Sequence, residues 1–321
     1  MNSSPMVSII CTVFNQEDYV RESLDSVLQS DYPNLELIIV DNGSTDNSVR
    51  QIKGWLEENK EKISVIFISR NQSIPYCESF NRAFEQAKGE YFIDLSGDDL
   101  ICKEHIFKSV ACLEKYPQAA VCFSDAYLFS NDGKIRTFYP RSSKGKLQYA
   151  VIDGDVYELM VAKHHILSVT MIIRSSTFRL EGGYDEELSY EDFDIQVRLA
   201  RKYPFVFSDH FGIKKRLHPK AMSVDQYKRY QSVMLPSTLK VCQKIKSMNK
   251  NPKEDLALLI RVQFELKHAL LSANFQVARG FFELADDLGA KGIRMKLYEN
   301  WLKHHCDISA IYGFLKSLRT G

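Results

Sequence analysis

Val7-Ser8-Ile9-Ile10-Cys11-Thr12-Val13-Phe14-Asn15 is an almost unbroken apolar, β-branched run that stops on a polar side chain. Hydrophobicity that is continuous rather than alternating marks a strand buried on both faces, the signature of a parallel sheet covered by helices. Outward from this run the same pattern recurs. Tyr19–Gln29 carries helical spacing through Val20, Leu24, Val27 and Leu28, and Leu35–Val40 is again continuous and β-branched. Helix-like and strand-like segments then follow in turn at Asp46–Glu58, Ser64–Ser69, Tyr76–Ala87 and Tyr91–Leu95. This alternation predicts an α/β architecture with a mostly parallel sheet flanked by helices.

Further along, a helix at Lys103–Lys115 precedes a strand at Ala119–Phe129, and strands at Val169–Arg174 and Phe205–Asp209 bracket a helix at Glu191–Lys202. Between them, Ser130–Leu147 holds Asn131-Asp132-Gly133 and Lys144-Gly145-Lys146 and reads as a polar, mobile loop. From about Asp225 strand patterns cease. Asp225–Met248, Lys253–Ser272, Phe275–Leu288 and Lys291–Leu318 read as amphipathic helices, punctuated by Asn251-Pro252 and Gly289. The expected organisation is a first unit over residues 1–222 and a helical C-terminal region over 223–321.

Composition narrows the function. The 321 residues carry 42 Lys and Arg against 41 Asp and Glu, a formal charge of +1, with 45% hydrophobic and 26% charged residues. That balance excludes disorder and a broadly basic nucleic-acid binder. Seven cysteines, odd in number, widely spaced and without a CxxC pair, read as free thiols in a reducing compartment. Met1–Val13 lacks the basic start of a signal peptide, and no uncharged apolar run approaches the 18 or so residues that cross a bilayer. A cytoplasmic protein is expected, at most attached to the inner face of a membrane.

Ligands of open α/β sheets bind beyond the carboxyl ends of the strands, so the polar residues at strand ends matter most. Phe14 ends the first run, Asp41-Asn42-Gly43-Ser44-Thr45-Asp46 follows the second, and Ser96-Gly97-Asp98-Asp99 follows the fourth. Asp41 with Phe14 could hold a pyrimidine; equally, the segment suits a plain turn with Asp46 or Thr45 capping the next helix. Adjacent acids at Asp98 and Asp99 repel unless a cation compensates them, although a helix cap explains Asp99 as well. Glu191-Asp192 opens a helix soon after Gly182-Gly183-Tyr184-Asp185, a place for a general base or simply a carboxylate favoured by the helix N-terminus. Lys214-Lys215-Arg216-Leu217-His218 reads as an anion site or as a solvated basic turn. In His164-His165 and His304-His305 the adjacent rings diverge on a helix, so neither pair reads as a metal site.

Taken in order and at these distances, the segments Val7–Asn15, Ile39–Asp46, Ser96–Asp99, Gly182–Asp185 with Glu191-Asp192, and Arg216-x-His218 resemble family 2 inverting glycosyltransferases of the GT-A fold. The resemblance spans roughly residues 5–222 and implies a Rossmann-like nucleotide-sugar-binding domain. It implies that Thr12, Phe14, Asn15, Asp41, Asn71, Gly97, Asp98 and Arg216 line the nucleotide site, with Asp41 receiving an N–H of uracil. It further implies that Asp98, Asp99 and His218 hold Mn²⁺ or Mg²⁺ on the diphosphate, and that Asp192, beside Glu191, is the catalytic base. Three positions depart from the family pattern: Ser96 replaces the first acid of its DxD motif, Asn42 a frequent second acid after Asp41, and Ser73 a usual glycine two residues after Asn71. The expected partners are a nucleotide-sugar donor, a UDP-sugar by this reading, and a saccharide or lipid-linked saccharide acceptor in cell-surface polysaccharide or glycolipid synthesis. A non-catalytic sugar-nucleotide-binding or scaffold protein of the same fold is the alternative. A sugar-nucleotide-forming nucleotidyltransferase would need a glycine-rich basic loop where Thr12-Val13-Phe14-Asn15-Gln16 stands. The helical region is read as contacting acceptor or a second copy, and Ile308–Leu318 as packing on the protein or lying on a membrane face.

Overall fold

The computed structural model describes residues 4–59, 61–130, 132–163 and 165–313. Asn131, His164 and residues 314–318 of the expected last helix lie outside the described residues. Two compact units result, and they interleave along the chain. The first holds the chain up to Val156, Ile166–Glu186 and Arg198–His218; the second holds Tyr157–His165, Glu187–Val197 and the chain from Pro219 onward.

In the first unit, strand β1 (Val7–Val13) is followed by helix α1 (Val20–Leu28), β2 (Leu35–Asp41), α2 (Ser48–Asn59), β3 (Ser64–Ser69), α3 (Tyr76–Phe84) and β4 (Tyr91–Ser96). Then come β5 (Leu100–Ile101), α4 (His105–Lys115), β6 (Val121–Ser130) and β7 (Ile135–Thr137). The later elements are β8 (Ile172–Arg174), α6 (Ser175–Leu180) and β9 (Phe205–Leu217), with α5 (Tyr157–Ala162) and the start of α7 (Asp192–Ala200) counted in the second unit. The sheet runs β3-β2-β1-β4-β8-β6-β9-β5, and β7 pairs with β6. The long ladders are parallel: β1 with β2 and β4, β2 with β3, and β6 with β9. The antiparallel ladders through β5, β7 and β8 are two or three residues long. Every residue of β1 is buried, as its continuous hydrophobicity requires. One face packs Ile9, Cys11 and Val13 with Leu24, Trp55, Ile106 and Leu113, so α1, α2 and α4 cover it. The aromatic rings of Phe80, Phe84, Phe92, Phe178 and Tyr184 form a second cluster, with centroids 4.6–6.1 Å apart in its closest pairs.

Several expectations from sequence are corrected. The Ser130–Leu147 loop is not a free polar excursion: β7 pairs antiparallel with β6, and Arg141 anchors the segment. Its guanidinium donates to Asp125 (2.6 Å) and Asp209 (2.5 Å) and stacks on Phe211. Asp125 is fully buried, so this ion pair replaces water the carboxylate has lost. The expected strand at Val169–Arg174 begins only at Ile172, after a 3-10 turn at Ser168–Thr170. The last strand extends from Phe205 to Leu217 because parallel pairing with β6 carries it past Asp209 through a bulge. That bulge seats a buried histidine pair, His105 Nδ1 and His210 Nε2 at 3.0 Å, with Ser208 Oγ on His210.

In the second unit, α8 (Met234–Met248), α9 (Pro252–Leu271), α10 (Phe275–Asp287) and α11 (Ile293–His304) follow a 3-10 segment at Met222–Tyr227. The expected helix from Asp225 therefore starts nine residues later, at Met234. Asn251 caps α9, its side chain accepting from the Lys253 and Glu254 amides ahead of Pro252 at the first turn. The expected single helix Lys291–Leu318 breaks at His305, which adopts the left-handed conformation (φ 48°), and helix resumes only at residues 309–313. All seven cysteines are free thiols. No helix of the described residues is long and apolar enough to cross a membrane.

Candidate functional site

β1, β2, β3 and β4 are mutually parallel, so their carboxyl ends share one edge of the sheet, with the change of direction of the strand order between β1 and β4. β8 is antiparallel to both β4 and β6, and β9 is parallel to β6; β9 thus ends on the same edge. Topology brings five strand ends, and with them residues 12–16, 41–46, 69–74, 96–99 and 216–218, to one rim.

Asp41 is fully buried at the end of β2. Its Oδ2 accepts a long hydrogen bond from the Ser44 amide (3.3 Å), whereas Oδ1 meets no donor among the described residues. Thr12 Oγ1 is buried in the same condition, and Phe14 stands half exposed (48%) at the lip. Asn15 is in the left-handed region (φ 53°) and spends its side-chain oxygen on the Thr45 amide (2.8 Å), fastening the β1 end to the loop after β2. In that loop Asp46 accepts from the Ser48 amide (2.9 Å) and the Glu17 amide (3.0 Å), the capping role expected for it. Asn42 points across to the loop after β3, donating to Ile74 O (2.8 Å) and accepting from its amide. Gly43 (φ +78°) lies so close to that loop that a Cβ would stand 2.4 Å from the Ser73 nitrogen. Asn71 stands exposed in the loop after β3.

The two adjacent acids have different surroundings. Asp98 Oδ1 bonds the Ser96 hydroxyl, and Oδ2 meets His218 Nε2 at 2.7 Å. Burial works to raise its pKa, but these two hydrogen bonds, with the charge of Lys215, hold it below the ordinary value. Asp99 accepts from the Arg216 amide (2.8 Å) through Oδ1, and from Lys215 Nζ (3.5 Å) through Oδ2. Burial pushes it up to about 6, with Lys215 opposing and Asp98 adding. The cause is the antiparallel β5–β9 pairing, Leu100 against Lys214, which lays Asp99 along the backbone of residues 215 and 216 and leaves Asp98 facing His218. Lys214–Arg216 accordingly lie in a strand and are no basic turn. Arg216 is 8% exposed; its guanidinium pairs with Glu22, donates to Asp98 O (3.2 Å) and lies between the rings of Tyr19 (4.7 Å) and Phe129 (4.6 Å).

Sequence reasoning did not single out Gln16, Tyr19 or Glu22. Gln16 bridges Phe14 N and Ser96 Oγ, and a Cβ on Gly97 would lie 2.6 Å from its Oε1, so the glycine permits this close approach. Asn81 stands in α3, against the Gly182–Asp185 turn. Its amide takes both the N–H and the C=O of Tyr184, and the Tyr184 hydroxyl bonds Asp94, which pins the Gly182–Asp185 turn.

Among the described residues no three His, Cys, Asp or Glu side chains form a metal cage. Asp98 and His218 nonetheless offer one carboxylate and one imidazole at a single point, and His218 Nδ1 is buried without a partner among the described residues. That donor pair fits a divalent cation that completes its shell with phosphate oxygens and water.

Asp192 begins α7 in the second unit, half buried, with Glu191 before it accepting the Ile195 amide through its carbonyl (3.1 Å). Burial, and then the charge of Asp192, holds the Tyr190 hydroxyl protonated well above its ordinary range.

The chain is 30% identical over 224 residues to an uncharacterized glycosyltransferase of Rickettsia typhi, covering 67% of this chain and 65% of that one. The chain thus spans just under two thirds of that relative's length. Among solved structures, S. aureus TarS (residues 1–349, in complex with UDP-GlcNAc) superposes with a TM-score of 0.71 at 17% identity, over 94% of this chain and 88% of that one. The mannosyltransferase PcManGT from Pyrobaculum calidifontis, in complex with GDP-Man and Mn²⁺, gives 0.59 at 15% identity, over 95% and 85%. Residues 8–217 match the family described as Glycosyl transferase family 2, a stretch that takes in nearly all of the sheet. With the fold and the family match in agreement, the chain belongs to glycosyl transferase family 2 and carries the GT-A fold.

Proposed function

We propose that the protein transfers a sugar from a UDP-sugar to an acceptor hydroxyl, with inversion at the anomeric carbon. The observation that carries this reading is Asp41, whose buried Oδ1 lacks a donor on the edge where Asp98 and His218 face each other. A pyrimidine N–H supplies what that oxygen lacks, and Phe14 offers a ring beside it. UDP-GlcNAc in the TarS complex supports the same base. Asp98 and His218 would hold Mn²⁺ or Mg²⁺, and a cation there supplies positive charge for the diphosphate as it leaves. Asp99 keeps the Lys215-Arg216 backbone in register, so that His218 reaches Asp98. The guanidinium of Arg216, fixed between two rings and Glu22, adds fixed positive charge at this rim. Asp192 takes the proton of the acceptor hydroxyl. The acceptor oxygen then bonds the anomeric carbon on the face opposite the diphosphate, whose oxygen departs with the bonding pair; inversion follows.

The acceptor in this proposal is a saccharide or lipid-linked saccharide of cell-surface polysaccharide or glycolipid synthesis, met on the cytoplasmic side. Its support is the family alone. The test is a panel of UDP-, GDP- and dTDP-sugars, with and without Mn²⁺, on wild type and Asp192→Asn. Binding restricted to uridine donors, nucleotide release by wild type, and a loss of roughly 10²–10⁴-fold in Asp192→Asn with nucleotide affinity unchanged are expected. Near-wild-type release by Asp192→Asn would remove the base assignment, and binding without release by wild type would make the protein a non-catalytic binder.

A further inference from the structure

The family match ends at residue 217, yet the segment carrying Asp192 packs with helices beyond it. Along α8, the Ser189 amide donates to Ser237 Oγ (2.9 Å) and the Ser189 hydroxyl to Val233 O (2.9 Å). Tyr190 OH meets Thr238 Oγ1 at 2.7 Å, and Lys244 Nζ meets Asp194 Oδ1 at 2.8 Å. Ser237 and Lys244 recur at helical spacing, so one side of α8 makes these contacts, and Val241, Cys242 and Ile245 of the same helix are buried. From α9, Arg261 donates to Val161 O (3.1 Å) and lays its guanidinium over the Phe193 ring (4.9 Å).

From this geometry we infer that α8 is a splint for the general base, with Ser237 and Lys244 as its positioning residues. The inference rests on the reading of Asp192 as that base. The tethers fall on both sides of Asp192, at Ser189-Tyr190 and at Asp194. Ser237 and Lys244 are joined by about 10 Å of rigid helix, so the stretch between them cannot shift along the helix or turn about its own axis. A base acts only when its oxygen is held within hydrogen-bond reach of the proton, and displacement of about 1 Å costs orders of magnitude in rate. Asp194 is 1% exposed at its side chain, so Lys244 also compensates its charge, whereas Lys244 itself is 36% exposed and replaceable without opening the core.

The experiment compares Ser237→Ala, Lys244→Met, Lys244→Arg and Asp192→Asn with wild type in donor turnover, nucleotide diphosphate affinity and amide exchange. Ser237→Ala and Lys244→Met should each lower kcat by about tenfold or more while donor KM and nucleotide Kd stay within about twofold. Amide exchange should quicken at residues 189–194 and not in β1, and Lys244→Arg should recover most of kcat. Ser237→Ala keeps the test sound if Lys244→Met destabilises the protein. Full kcat in both tether variants, a parallel loss of nucleotide affinity, or a Lys244→Arg as impaired as Lys244→Met overturns the splint. If Asp192→Asn loses turnover while the tether variants keep it, the splint alone fails. An active Asp192→Asn overturns the base assignment, and the splint with it.

Discussion

Replacing Asp41 with asparagine should move stability and nucleotide affinity in opposite directions. The carboxylate is fully buried, receives one long hydrogen bond from the Ser44 amide (3.3 Å), and has a second oxygen without a donor among the described residues. Without a nucleotide it is a buried charge poorly compensated, and removing the charge relieves desolvation at nearly constant volume. Asp41→Asn should therefore keep or raise the melting temperature, by about 2–4 °C for each kcal/mol recovered. In the proposed uridine complex the ring N–H would donate to Oδ1, a hydrogen bond to a charged group, which contributes about 1.5–3 kcal/mol. Its loss weakens binding by roughly 10- to 150-fold. Calorimetric titration with UDP, beside a thermal scan of both proteins without nucleotide, measures both quantities. Unchanged UDP affinity would refute Asp41 as the base receptor. A large fall in melting temperature would show instead that the carboxylate serves the fold.

Two further outcomes follow from groups away from that rim. Arg141→Met leaves the Asp125 carboxylate buried without its cation and should destabilise the first unit by about 3–5 kcal/mol, read as a shift of the denaturation midpoint; a shift below about 1 kcal/mol would place the anchoring of residues 130–147 elsewhere. Burial lowers His105 well below its ordinary value and His210 to about 4, with Lys108 adding to the latter. The folded state then binds fewer protons than the unfolded chain between that value and the usual 6.5, so stability falls as pH falls through this window. For His210 the loss is about 2 kcal/mol from about pH 7.5 to about pH 5, and His210→Gln should flatten the denaturation-midpoint profile there. An equal slope in the variant would contradict the neutral buried pair.

The helix and strand segments up to Leu95 were legible because each is stated locally: β1 is apolar throughout because both its faces are covered, and the capping of α2 by Asp46 needs only the Ser48 amide two residues on. Asp41 at the end of a strand, Asp98 shortly after one and Asp192 at the start of a helix occupy positions that are stated locally in the same way. What the chain order left open were contacts across large separations. Gln16 meets Ser96, Glu22 meets Arg216, and Asn81 meets Tyr184, each at least 80 residues away. A polar side chain in sequence does not show which distant partner it will find.

By itself, then, the sequence determined the α/β alternation, the family, and the strand ends that carry the candidate site, because periodicity and turn chemistry act over a few residues. Only the tertiary structure distinguished Asp98 from Asp99. Adjacent and chemically identical, they differ because β5 pairs with β9 and turns one carboxylate onto the Arg216 amide and the other toward His218. It likewise made Arg216 a clamped cation rather than a solvated one, broke the last expected helix at His305, and laid α8 along Asp192. In each case the deciding term is burial against a distant element, which removes water from a polar group and obliges it to find its partner there.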